Sequence, residues 1–271
     1  MLGAALERTS KIKLGPLVTT PIGARYHPAI IAQASATLNN MHPGRLLLGV
    51  GTGEALNERP FWHDRWPEWE ERIARLTEGI TLIKKLWKTK EPFSFKGKFF
   101  PAKFYYLYTK PKNRIPIYFS AIGRRAAYYA GLHADNLVTI SPRNTIEKLQ
   151  REILPEFERG CRKAGKRKGG IVIHMDFSFD TPSTLVKNSW RTLGWMLKDS
   201  WSIENPVAVE KAGRRVGVED VKKSVHFCKS WRAVIKIIED YIGVGANAIV
   251  LITEADKKKI RDVAHNVLNV L

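Results

Sequence analysis

A single carboxylate, Glu54, follows the two-glycine stretch Gly51-Thr52-Gly53, and an amide, Asn57, comes three residues later. Together they offer one ionisable group and one hydrogen-bond donor and acceptor. The preceding run, Leu46-Leu47-Leu48-Gly49-Val50, is apolar and reads as a buried strand. The acid therefore stands where a strand stops, which is where parallel α/β folds collect their functional groups. Two residues without side chains let a planar ligand come close to the backbone. The plainer alternative is a tight turn in which Glu54 caps backbone amides. A dinucleotide fingerprint is a poor match, because the position of its third glycine is Leu56.

The elements that must position these groups alternate. Strand-like runs are expected at KIKLGPLVT, RLLLGV, IPIYFS, NLVTI, GIVIHMDFSF and ANAIVLIT. Helical runs lie between them. One begins at Pro28 and is expected to bury Ile30, Ile31, Ala34 and Leu38. The longest follows Pro67, has acids at its head and lysines at its tail, and repeats Ile73, Leu76, Ile80, Ile83 and Leu86 at helical spacing. The aromatic stretch from Phe93 to Tyr108 reads as a hairpin or excursion. Apolar strands separated by amphipathic helices imply a parallel sheet covered on its faces, either doubly wound or a (β/α)8 barrel. No repeat or linker divides the chain, so one domain over residues 1–271 is expected.

Composition narrows the class. The 45 Lys and Arg against 26 Asp and Glu leave a formal charge of +19. Such a charge attracts anions, and it equally suits a lysine-rich solvated surface. The basic run Cys161–Gly170 reads as a loop and has no interleaved aromatics to stack on bases, so nucleic acid is not expected as a partner. The apolar runs are too short to cross a bilayer and Met1 leads into no cleavable apolar core. Cys161 and Cys228 form no metal spacing; they fit a reducing cytoplasm, and no metal site is expected.

The stretch GRLLLGVGTGEALNE, followed by WPEWEERIARLTEGITLIKKLW, resembles the luciferase-like family of flavin and deazaflavin enzymes. It is most similar to the branch of glucose-6-phosphate and secondary-alcohol dehydrogenases that use coenzyme F420. The likeness extends through ERTSKIKLGPLVTTP and HPAIIAQASATLNNM, and downstream through GRRAAYYAGLHADNLVTIS and SIENPVAVEKA. It implies a (β/α)8 barrel, often dimeric, that exchanges a hydride between an alcohol or sugar-phosphate carbon and F420. An FMN-dependent monooxygenase on the same scaffold is the alternative. By the resemblance, Glu54 is the proton donor or acceptor beside the deazaflavin and Asn57 contacts the cofactor. Leu17–Val18 falls at a non-proline cis peptide that bulges against the ring, and the Thr20 hydroxyl bonds the cofactor. Ala121, Ile122 and Gly123 match the loop whose amides hold the cofactor phosphate, with Ile122 where relatives carry a glycine.

The chain departs from the family in two respects. Relatives begin with a strand, a helix and a second strand that carries a catalytic histidine, and no histidine here lies in a matching position. The expected strands are then the family's third to eighth, and an N-terminally incomplete barrel would associate into dimers or larger assemblies or be completed by a partner. Without that catalytic histidine the chain alone could be inactive in turnover, or it could be a cofactor-binding remnant without catalysis. His63 is the candidate substitute, although packing among Trp62 and Trp66 is its plainer role. The sugar-phosphate pocket is also poor in charge. Arg143 stands at one basic position, whereas Ser200 and Ser224 occupy the others, with Lys223 beside the latter.

Overall fold

The computed structural model describes residues 1–197, 200–252 and 257–268. Its contacts gather into two compact units, residues 1–137 with 156–169, and residues 138–155 with 170–271.

The first unit opens with α1 (Leu2–Glu7) and α2 (Pro28–Met41), then β1 (Leu48–Val50), α3 (Ala55–Glu58) and α4 (Trp69–Lys88). A hairpin of β2 (Phe93–Phe95) and β3 (Ala102–Tyr105), the strand β4 (Ile117–Ser120) and α5 (Arg124–His133) follow. The strand β5 (Asn136–Ser141) leads out of this unit through α6 (Ile146–Lys148), and most of α7 (Leu154–Lys163) returns to it. β1 and β4 pair in parallel, with Leu48 opposite Ile117 and Val50 opposite Phe119.

The expected strand at KIKLGPLVT is reduced to two isolated bridges, Leu14 to Leu46 and Thr19 to Val50. Pro16 lies between them and has no N–H to give to a ladder. The segment still runs alongside β1: Gly49 N donates to Pro16 O at 3.1 Å and Thr19 N to Gly49 O at 2.9 Å.

α4 buries all five residues of its expected stripe. α2 does not: it buries Ile31, Ala32, Ser35, Ala36 and Asn39, while Ile30 is 57% exposed. Small residues win that face because α4 lies close against it, with Trp87 Nε1 donating to Ala32 O at 3.0 Å. Asn39 is buried with its Nδ2 donating to Asn113 O at 3.0 Å.

The second unit holds β6 (Ile171–Ser178), α8 (Pro182–Ser189), α9 (Pro206–Gly213), α10 (Val218–Lys222), β7 (His226–Phe227), α11 (Trp231–Gly243), β8 (Ala248–Ile252) and α12 (Lys257–Val263). β8 pairs in parallel along Val172–Asp176 of β6, and β7 pairs with Phe177 and Ser178 beyond it. Among the described residues, β7 is a strand that the alternation did not predict, and the first expected strand is absent. No helix among the described residues is long and apolar enough to cross a membrane.

Candidate active site

The parallel pairing of β1 with β4 brings two turns side by side at one end of the first unit. The chain leaves β1 at Val50 into Gly51–Glu54, and leaves β4 at Ser120 into Ala121–Gly123. Adjacent strands lie about 4.8 Å apart, so the two turns are neighbours. On the other edge of β1, the Thr19–Val50 bridge brings in residues 17–20. The meeting point is Gly51, where a Cβ would lie 2.8 Å from Val18 Cγ2 and 3.7 Å from Ser120 Cβ. A side chain there would push these segments apart.

Glu54 is the N-cap residue of α3 and makes no side-chain cap bond to its amides. Its carboxylate is half-buried, and Asn57 Nδ2 donates to Oε2 at 3.5 Å, the outer limit of a hydrogen bond. The acid and the amide thus stand together on one turn. Gly53 precedes them with φ +74°, a conformation that favours glycine. The Leu17–Val18 peptide bond is cis, as the resemblance implied, and Val18 is 37% exposed. Thr20 is buried.

Ala121 is buried, Ile122 half-buried and Gly123 exposed. Gly123 is the N-cap of α5, supplies no side-chain cap, and has nothing within 4 Å of where a Cβ would stand. The first amides of a ten-residue helix therefore lack a side-chain cap, an arrangement suited to an anion. Arg124 and Arg125 pair outward, with Glu156 at 3.3 Å and Glu70 at 3.0 Å.

Glu58 closes the same motif, four residues after Glu54. It is fully buried at the end of α3, beneath the glycine turn. Thr20 Oγ1 donates to its Oε1 at 2.8 Å, and Arg25 Nη2 lies 3.0 Å from the same oxygen. Its Oε2 is buried without a hydrogen-bond partner among the described residues. Flanked by Asn57 and Arg59, Glu58 carries no local sequence signal of burial.

His63 is exposed, which corrects the expectation that it packs among the tryptophans. Trp62 and Trp66 instead meet edge to face at 5.9 Å, with Arg75 and Arg72 over their rings. Each tryptophan already has a cationic cover and a ring partner, so the imidazole has no place between them. The aromatic excursion divides: Phe100 is buried, whereas Phe104 and Tyr108 stand out in solvent.

In the second unit, Arg143 Nε donates to Ser224 Oγ at 3.3 Å and Nη2 donates to the Trp195 carbonyl at 3.1 Å. Arg143 and Ser224, which the sequence assigned to one phosphate pocket, are thus in contact. Along β6, Ile173 and Met175 are buried while His174 and Asp176 between and after them are half-buried. Burial pushes the Asp176 carboxyl up to about 6, against the pull of Arg143.

A separate network joins Ser141, His226, Tyr241 and Asn144. Tyr241 Oη donates to the Asn144 carbonyl at 3.3 Å, and Ser141 Oγ donates to Tyr241 Oη at 2.6 Å. Ser141 is then left to accept from His226 Nε2, 2.5 Å away. Burial lowers the His226 pKa to about 4, which suits this neutral tautomer. No cluster among the described residues could hold a metal ion.

The family model described as luciferase-like monooxygenase matches residues 1–179. The F420-dependent glucose-6-phosphate dehydrogenase of Segniliparus rotundus is 37% identical over 254 residues, 92% of this chain and 75% of that protein. Its namesake from Mycolicibacterium gilvum is 36% identical over 90% of this chain and 74% of its own length. Among solved structures, an F420-dependent secondary alcohol dehydrogenase in complex with an F420-acetone adduct superposes with a TM-score of 0.83 at 33% identity, covering 92% of this chain and 76% of that one. The F420-dependent tetrahydromethanopterin reductase of Methanopyrus kandleri shares the fold, with a TM-score of 0.72 at 21% identity.

Proposed function

Because the chain belongs to the luciferase-like monooxygenase family, we propose that it is an F420-dependent oxidoreductase acting on an alcohol or sugar-phosphate hydroxyl carbon. The observation that carries this reading is the convergence, at one end of β1 and β4, of a half-buried carboxylate, an amide partner, a buried hydroxyl and an uncapped helix N-terminus. The residues present fit a deazaflavin bearing a phosphate. The side-chain-free turn at Gly51 and Gly53 admits a flat ring, and the space in front of Gly123 admits an anion.

The F420 deazaflavin supplies a two-electron hydride acceptor when bound. The chain's own residues then have separable tasks. Amides at Ile122, Gly123 and the start of α5 hold the phosphate. Asn57, Thr20 and Val18 would be the side chains that orient the ring. The Glu54 carboxylate holds or releases the proton on the cofactor side. Arg143 serves the substrate: a guanidinium binds phosphate or carboxylate oxygens, and here Ser224 and Trp195 hold it in place.

Glucose-6-phosphate and secondary alcohols, the substrates named for the relatives, are the first to test. Self-association as a dimer or larger, in a cytoplasmic setting, belongs to the same reading. Titration with F420, followed by its visible absorbance during incubation with each substrate, tests the proposal. Saturable binding with substrate-dependent bleaching is expected, and no binding at low salt would overturn it.

A further inference from the structure

Glu58 lies outside every role assigned above, yet it ties together the segments that carry them. Its Oε1 accepts from Thr20 Oγ1 at 2.8 Å and faces Arg25 Nη2 at 3.0 Å. It also supports the turn bearing Glu54: a Cβ on Gly53 would lie 2.9 Å from Glu58 Cγ and 3.2 Å from Thr20 Cγ2. Thr20, Gly53 and Glu58 are thus packed against one another, and Thr20 and Glu58 are both buried.

A carboxylate paired with a guanidinium has no hydrogen to give, so the Thr20 hydroxyl must be the donor in their bond. Its hydrogen is turned toward Glu58, and its oxygen keeps its two lone pairs for other donors. We propose that Glu58 is a positioning residue that sets the polarity of Thr20, so that Thr20 meets the ligand as an acceptor and selects an N–H or O–H donor on it. The inference rests on the cofactor-site reading and deepens it. A ligand edge that offers only acceptors at that point is rejected, because two acceptors would face each other. The Glu58 Oε2 is buried without a hydrogen-bond partner among the described residues, so the carboxylate keeps acceptor capacity beyond the Thr20 and Arg25 contacts.

The test is a double-mutant cycle on F420 affinity. Glu58→Gln can present its amide N–H to Thr20, which reverses the hydroxyl. In the native background it should weaken F420 binding by about tenfold or more, the scale of one mismatched hydrogen bond, with the circular dichroism spectrum retained. In a Thr20→Val background the same change should leave the affinity where Thr20→Val alone puts it. A loss of equal size in both backgrounds, or native affinity in Glu58→Gln, would overturn the assignment.

A ligand-free reading separates this inference from the cofactor proposal. In the free protein the Thr20 hydroxyl proton should exchange slowly and show a through-space NMR contact with the Glu58 methylenes. That signal should vanish in Glu58→Gln. Its absence from the native protein refutes the polarity whether or not F420 binds. If Glu58→Gln does not fold, Thr20→Ser and Thr20→Val decide: affinity should survive with Ser and fall with Val, and equal affinity in the two refutes the role.

Discussion

At the scale of single residues, the two acids of one short helix illustrate how environment assigns roles. Glu54 and Glu58 sit four positions apart, yet one faces the turn half-exposed and the other is sealed beneath it. Only the half-exposed acid can exchange a proton with a ligand, so Glu54→Gln should preserve the fold and slow substrate-dependent F420 reduction by about a hundredfold or more, the usual range for a lost acid or base. Single-turnover absorbance measures it, and native turnover would remove Glu54 from the mechanism. Asp176 supports a second expectation. Its folded pKa of about 6 lies above the ordinary 3.8, so the unfolded chain ionises first as pH rises. Stability from this group is intact below pH ~4 and is lost on rising to pH ~6, where the folded state must hold a charge it disfavours. Asp176→Asn should therefore raise the melting temperature at pH ~8 and leave it unchanged near pH ~4. Because the group keeps partial contact with water, the gain will be smaller than the full shift implies. Thermal melts across this window check the sign.

Elements carry the next lesson. α4 obeys its sequence stripe because long branched side chains at helical spacing have one way to reach the core. α2 rotates away from its own because close approach to α4 favours Ala32 and Ala36 over Ile30 and Ala34. The two adjacent isoleucines make this testable. Ile31→Ala should cost about 2–5 kcal/mol, as for other buried aliphatic truncations. Ile30→Ala, at a position 57% exposed, should stay within about 0.5 kcal/mol of the native chain. Urea unfolding of both variants measures the difference, and equal costs would show that the face is misassigned.

Across the whole molecule, the charge of +19 is the property most relevant to ligand capture. Surface acids are paired in short-range bridges, such as Glu70 with Arg125 and Glu158 with Lys168, and each exposed pair contributes little to stability. The excess cations instead create a field that draws anions over distances near the Debye length, about 8 Å at physiological salt. F420 affinity should consequently fall as salt is raised from about 0.05 to 0.5 M, mainly through a slower association rate. Stopped-flow fluorescence reads this directly; a salt-independent association rate would confine the excess charge to solubility.

The sequence by itself determined where β1 and β4 end and which residue types follow them. Local rules suffice for that: an apolar run, two glycines and a following acid specify a strand, a tight turn and a polar residue beyond it. The stripe of α4 and the hairpin of β2 and β3 were legible for the same reason. Partners distant in sequence were decided only by the tertiary structure. Residue 20 meets residue 58 because Thr19 bridges Val50, and no local pattern encodes that bridge. The rotation of α2, the exposure of His63 and the joining of Ser141 to His226 likewise depend on which surface another element covers. Glu58 shows the physical reason most plainly. Its type and spacing match those of any solvated helix acid, and only the packing of Thr20, Arg25 and Gly53 around it turns it into a buried acceptor.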